Sequence, residues 1–292
     1  MATASTGTFE VKPLDAPIGA EIVGLDLSQS LDAATRQAVL DAWHTHSALL
    51  IRNQSLTDPQ LIEFSRIFGE LEMAPPNHSG RHWIDGYPEL ACISNVKQDG
   101  KAVGSLGNSE AIWHTDMSFM EEPPAASLLY SIEIPSSGGG THLANMYVAY
   151  ETLPDDLKKR VDGRIAVHDA TYTSAGEVRK KFAEFVGTTD MERAPGARHP
   201  LVRVHPASGR KALYLGRRSG ASGIIGEPDS ELWDALWAHC ENTPLSYGHN
   251  WAVGDLLIWD NRCTMHYRES FDDAERRMMH RTQTKGEAPV AA

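Results

Sequence analysis

Cysteine is scarce in this sequence. There are three, Cys92, Cys240 and Cys263, an odd count with no CxxC pair among them. That pattern argues against a disulfide framework and against a structural zinc site built on paired thiolates. The three fit small, buried, apolar residues in a reducing compartment. Basic residues are the minority, with 27 Lys and Arg against 39 Asp and Glu, and the formal net charge is -12. Such a chain makes a poor partner for nucleic acid or an anionic membrane, so any bound anion must meet a local cluster of cations. No apolar run approaches the roughly 20 residues of a membrane span. Residues 1–7 lack the basic start and apolar stretch of a signal peptide, and the chain reads as cytoplasmic. Internal repeats and low-complexity linkers are missing as well. What remains is a 292-residue chain, 41% hydrophobic and 23% charged, long enough to bury a sizeable core. Residues 9–286 read as a single domain between flexible tails at 1–8 and 287–292.

The pattern along the chain is mostly β with helical insertions. Strands are expected over 9–14 and 20–27, joined through Pro17 and Gly19. Asp32 suits the N-cap of a helix reaching about His46, with Ala34, Ala38, Val39, Ala42 and Trp43 as its apolar stripe. A short buried strand follows over 47–51. Thr57 with Gln60 forms a capping-box start, Leu61, Phe64 and Phe68 share one face, and Gly69 marks the stop. Further strands are expected over 90–96, 126–134, 201–205, 211–215, 255–259 and 278–284, with a hairpin turn at Ser208-Gly209-Arg210. Helices are expected over 146–153, 155–162, 178–186 and 230–241. Many short strands in a chain of this length suggest a sandwich or jelly roll carrying helices outside. The Gly- and Ser-bearing stretches 97–109 and 219–226 are candidates for mobile loops.

Two short stretches carry the chemistry: Trp113-His114-Thr115-Asp116 and Cys263-Thr264-Met265-His266. In an extended segment side chains alternate faces, so His114 and Asp116 point to the same side. His266 would complete a 2-His-1-carboxylate triad that covers one face of an iron(II) ion and leaves positions open for a co-substrate and dioxygen. Taken alone, a His-x-Asp tripeptide is an ordinary find among 13 histidines, and one further histidine adds little. Two accessories change that balance. Arg277 and Arg281 share a strand face; turned inward they need anions to meet, and turned outward they would pair with Asp272, Asp273 or Glu275. Gly138-Gly139-Gly140-Thr141 is either a plain loop or a tight turn that delivers a threonine hydroxyl to a carboxylate.

With those residues in view, the chain resembles the iron(II)/2-oxoglutarate-dependent dioxygenases of the taurine and phenoxyacetate-herbicide (TauD/TfdA) family. The resemblance rests on Trp113-His114-Thr115-Asp116, Gly139-Gly140-Thr141, Trp259-Asp260-Asn261 with His266, and Arg277 with Arg281, and it runs from about residue 9 to residue 286. It implies a double-stranded β-helix, a clavaminate-synthase-like jelly roll with outer helices. It implies His114, Asp116 and His266 as ligands of Fe(II), and Thr141 with Arg277 as the cradle for the distal carboxylate of 2-oxoglutarate. Arg281 would face the primary substrate, a small anionic molecule such as a sulfonate or carboxylate. Met117 and Phe119 would line its pocket, with core packing as the other reading. His82 falls near the place where taurine enzymes set a histidine against the sulfonate, and 97–108 is closer to the phenoxyacetate branch. The implied reaction consumes 2-oxoglutarate and O2, hydroxylates the substrate, and yields succinate and carbon dioxide. A hydroxylated carbon bearing sulfonate or ether then fragments. Helices on one side of such folds imply a homodimer or homotetramer. His142, His168, His205, His249 and His280 become surface or supporting residues. The rival is a jelly-roll protein with zinc in the same His-Asp-His site, a hydrolase or a non-catalytic ligand binder.

Overall fold

The structure is a computed structural model, and it describes residues 9–77, 79–105, 111–173, 176–226 and 230–292. The expected N-terminal tail, 1–8, and the 106–109 part of the first candidate loop lie outside the described residues.

Two facing sheets form the centre. The larger has seven strands in the order Glu10–Pro13, Ala20–Val23, Ala48–Ile51, Leu256–Asp260, Ala126–Glu133, Met278–Gln283 and Ala91–Ser94. All neighbours run antiparallel except Ala20–Val23 with Ala48–Ile51. The smaller has four antiparallel strands in the order Ser246–His249, Thr141–Asn145, Thr264–Arg268 and Ala111–His114. This is the jelly-roll architecture the sequence implied.

Alternation along the strands divides the core. One face of the large sheet sends Ala48, Leu50, Leu129, Leu257, Trp259 and Met279 inward against Leu143 of the small sheet. Its other face, with Leu49, Ile51, Leu128 and Ile258, packs beneath Val39, Trp43, Leu61, Phe64 and Phe68. Those residues come from the helices Ala33–His46 and Asp58–Ser65 and the 3-10 turn after them. Both helix starts follow their sequence signals. Asp32 accepts from Thr35 N at 2.7 Å, and Gln60 Oε1 accepts from Thr57 N at 2.8 Å. A third core lies outside the small sheet, where the helices Met146–Glu151 and Glu231–Asn242 cover Ala144, Met265, Leu213 and Leu215.

Three expectations change. The helix expected over 178–186 is a 3-10 segment, Lys180–Phe185, interrupted by non-helical backbone at Phe182. None of its residues is buried, so no apolar face exists to stabilise a regular helix. The C-terminal stretch expected as a tail places Val290–Ala291 beside Val202–Val204 as a paired strand. The candidate loops are partly paired too: Lys97–Gln98 meets Lys101–Ala102, and Gly223–Ile224 joins Ile165–Val167. Among the described residues no helix is long and apolar enough to cross a membrane.

Candidate metal centre and its carboxylate cradle

The metal-ligand candidates meet at one end of the space between the sheets. His114 and His266 are register partners on adjacent antiparallel strands, so their side chains stand on the same face. Their ring centroids are 4.1 Å apart. Asp116 lies just beyond the strand end. The backbone there is held by Thr115 N donating to Gly216 O at 2.9 Å and by Thr115 Oγ1 donating to Thr264 O at 3.0 Å. Asp116 Oδ1 lies 3.8 Å from His114 Nε2 and 3.9 Å from His266 Nε2, and one ligand atom from each residue fits within 4.8 Å of the others. All three residues are buried.

The protonation pattern suits a cation. His114 Nδ1 lies 2.8 Å from Ile112 O; a carbonyl only accepts, so Nδ1 carries the hydrogen and Nε2 keeps its lone pair. Burial, followed by the neighbouring His266, pushes the His114 imidazolium down to about 3. Burial also lowers His266. For Asp116 burial acts in the opposite direction, but Arg281 and the two imidazoles override it and hold the carboxylate well below its ordinary range. The result is two neutral imidazoles and one carboxylate, a donor set suited to a divalent ion.

The arginine strand settles which of the two readings of Arg277 and Arg281 holds. Arg277, Met279, Arg281 and Gln283 turn inward, whereas His280 turns outward to Asp58 at 2.6 Å and Thr282 to Ser65 at 2.6 Å. The arginine that meets acid at the surface is Arg276, which holds Glu133 with two bonds of 2.6 and 2.9 Å. Arg277 is 1% exposed, and its Nε, Nη1 and Nη2 have no hydrogen-bond partner among the described residues. Burial and the nearby Arg268 push its guanidinium down to about 9. A buried guanidinium without an acid is costly unless an anion arrives. Gly139, at φ +68°, lets the backbone pass beside it; a Cβ there would sit 3.5 Å from Arg277 Cδ and Nε. Thr141 is buried and accepts from Trp251 Nε1 at 3.1 Å. Indole only donates, so the threonine proton is left for another acceptor. A carboxylate fits this cradle.

The substrate-side candidates are more dispersed. Arg281 Nη1 lies 3.4 Å from Asp116 Oδ1, and its buried Nε has no partner among the described residues. Met117 is half-buried and adopts φ +47°, left-handed backbone directly after the ligand Asp116. Phe119 is half-buried, with the Arg179 guanidinium 4.2 Å over its ring. His82 is exposed in the irregular stretch 79–90, and no hydrogen bond or ion pair among the described residues ties it to the triad. The other histidines have separate roles. His142 meets Glu269, His205 meets Asp260, and His249 lies 3.1 Å from Asp255. His168 and His205 are fully buried, contrary to a surface placement.

His205, Asp260 and Cys263 also cluster closely enough to suggest a second metal site. Their hydrogen bonds exclude it. His205 Nδ1 accepts from Ala207 N and Ser208 N, so Nε2 bears the proton that goes to Asp260. Arg262 occupies both Asp260 oxygens.

Three residues at the metal centre were given no role by the sequence. Ser127, Asn261 and Gln283 form a buried hydrogen-bonded chain ending on Asp116 Oδ2. The Trp259-Asp260-Asn261 motif offered a signal for Asn261, and the inward alternation 277-279-281 extends to Gln283. Nothing pointed to Ser127.

Comparison with known proteins agrees with this geometry. The model of the taurine catabolism dioxygenase TauD, TfdA family matches residues 10–283. The 2-oxoglutarate (alpha-ketoglutarate)-dependent 2,4-dichlorophenoxyacetate dioxygenase of Cupriavidus pinatubonensis is 35% identical, over 95% of this chain and 98% of its own length. An alpha-ketoglutarate-dependent sulfate ester dioxygenase of Pseudomonas putida is 36% identical, covering 97% and 91%. Among solved structures, a taurine dioxygenase from Burkholderia xenovorans superposes with a TM-score of 0.78 at 32% identity, covering 97% and 91%. AAD-2, solved with Mn(II) and N-oxalylglycine, gives 0.76 at 29% identity, covering 97% and 100%. The chain belongs to the TauD/TfdA family, and it is an enzyme of the 2-oxoglutarate-dependent, non-haem dioxygenase class.

Proposed function

We propose that this enzyme uses Fe(II) to hydroxylate a small anionic organic substrate, a sulfonate, sulfate ester or carboxylate, with succinate and carbon dioxide as co-products. The observation that carries the reading is the buried guanidinium of Arg277, unpartnered among the described residues, flanked by Gly139 two residues before Thr141 and on the same inward row as Arg281, which reaches Asp116. A hydrolase built on zinc needs no such cradle for a second acid.

Residue by residue, His114 Nε2, His266 and Asp116 Oδ1 would hold the metal on one side. Arg277 would grip the distal carboxylate of 2-oxoglutarate through parallel N–H donors, with Thr141 adding its proton. Iron(II) with 2-oxoglutarate and dioxygen supplies oxidative decarboxylation coupled to hydroxylation of a C–H bond. The protein's part is to hold both acids and exclude water. Arg281 sets the substrate's orientation by meeting its anionic group, with Met117 and Phe119 as pocket walls and His82 as a further contact. The acid-bearing substrates named for the relatives support an anionic one here.

The test is oxygen consumption coupled to succinate, measured across alkylsulfonates, sulfate esters and phenoxyalkanoates. At least one should stimulate turnover, and His114→Ala, Asp116→Ala or His266→Ala should abolish it. Substrate-stimulated succinate formation by the Asp116→Ala protein would overturn the reading.

A further inference from the structure

Ser127 begins the inward row of the strand Ala126–Glu133 and is completely buried. A serine hydroxyl has one proton to give and two positions at which to accept. Asn261 Nδ2 donates to Oγ at 2.9 Å and Gln283 Nε2 donates at 3.0 Å, so amide N–H groups fill both accepting positions. The one proton is left for Asp116 Oδ2, 2.8 Å away. Neither amide is free to flip. Trp259 Nε1 donates to Asn261 Oδ1 at 2.9 Å, which fixes the end that bears hydrogen. Gln283 Nε2 gives its second hydrogen to Asp116 Oδ2 at 3.0 Å. Oδ2 therefore receives two donors, whereas Oδ1 faces the two imidazole Nε2 atoms. Arg281 does not make this distinction, since its Nη1 lies 3.4 and 3.5 Å from the two oxygens.

We propose that Ser127, with Asn261 and Gln283, is a positioning residue that turns Asp116 Oδ2 away and presents Oδ1 alone to the metal. The inference rests on the metal reading above. A carboxylate binds a cation through one oxygen or both, and a second oxygen would occupy a position that an open triad leaves to co-substrate and dioxygen. Partners one step behind the ligands commonly set such choices. The chain from Trp259 through Asn261 to Ser127 also assigns a task to the Trp259-Asp260-Asn261 motif.

The experiment uses the full chain loaded with cobalt(II), without 2-oxoglutarate or substrate. Metal affinity is read by chelator competition and coordination by the visible absorption of the cobalt protein. Ser127→Ala should bind cobalt about 10–100-fold more weakly. Its visible bands should change intensity as the second carboxylate oxygen enters. Ser127→Thr, which keeps the hydroxyl, should restore the wild-type spectrum. Gln283→Met should shift the spectrum in the same direction, and the double variant should lose less than the two single losses combined, because both act on one oxygen. Wild-type affinity and spectrum in a folded Ser127→Ala protein would overturn the proposal. Should Ser127→Ala fail to fold, Gln283→Met decides, and an unaltered spectrum overturns it. The underlying reading fails differently: the wild type would bind no cobalt, or His114→Ala would bind it equally well.

Discussion

Replacing Arg277 with methionine should make the protein more stable and less functional at once. In the structure Arg277 is 1% exposed, its three side-chain nitrogens have no partner among the described residues, and burial with Arg268 nearby lowers its pKa to about 9. An unmatched buried charge of this kind destabilises the fold, and exchange for an apolar side chain of similar length should recover about 1–4 kcal/mol. For a chain of this size that corresponds to a rise in unfolding temperature of roughly 2–7 °C without ligand. In the wild type, 2-oxoglutarate at a hundred times its Kd should add about 2.7 kcal/mol of its own. The methionine variant should gain almost nothing from it. The assay is thermal unfolding of both proteins with a redox-inert divalent ion, with and without 2-oxoglutarate. A variant less stable than the ligand-free wild type, or one that keeps the ligand-induced shift, would refute the assignment of this side chain.

Other perturbations separate the remaining parts. Arg281→Ala should raise the substrate KM about 10–100-fold, the loss expected for a charged hydrogen bond, and leave 2-oxoglutarate affinity near wild type; steady-state kinetics with each component varied will show it. Asp260→Asn should cost about 3–5 kcal/mol, because Arg262 would stay buried beside a neutral amide. Burial raises the Asp260 pKa, but Arg262 and His205 outweigh it and leave it depressed in the fold. The stability it supplies is present above the ordinary carboxylate range and fades as pH falls toward its folded value, so denaturant titrations should show the variant's deficit shrinking below about pH 4. Gly216→Ala should destabilise by about 1–3 kcal/mol, since Gly216 has φ +66° and a Cβ would lie 2.1 Å from His168 Nδ1 and 2.9 Å from Ser118 Oγ. Unfolding midpoints measure that directly.

How far the sequence foretold all this depended on whether the signal was local. The helices Ala33–His46 and Asp58–Ser65 were legible because caps and apolar stripes lie within a few residues. The inward row of Arg277 and Arg281 was legible because alternation has a fixed period. Strands such as Ser246–His249 and Arg198–Pro200 were not, since each is three or four residues long and carries no clean alternation of its own. The triad could be named because His114 and Asp116 are close in sequence, yet its meeting with His266 depends on the register of two strands more than 150 residues apart. Ser127 was beyond reach for the same reason. A serine in a strand says nothing until Asn261 and Gln283 are placed against it.

The proposed chemistry turns on two imidazoles, a carboxylate and a keto-diacid sharing one metal ion. The direct measurement is visible absorption of the protein titrated anaerobically with iron(II) and 2-oxoglutarate. A weak charge-transfer band that saturates near one equivalent, and is missing from His114→Ala, Asp116→Ala and Arg277→Met at matched concentrations, is the predicted result. No band in the wild type, together with tight zinc binding and hydrolytic turnover, would contradict it.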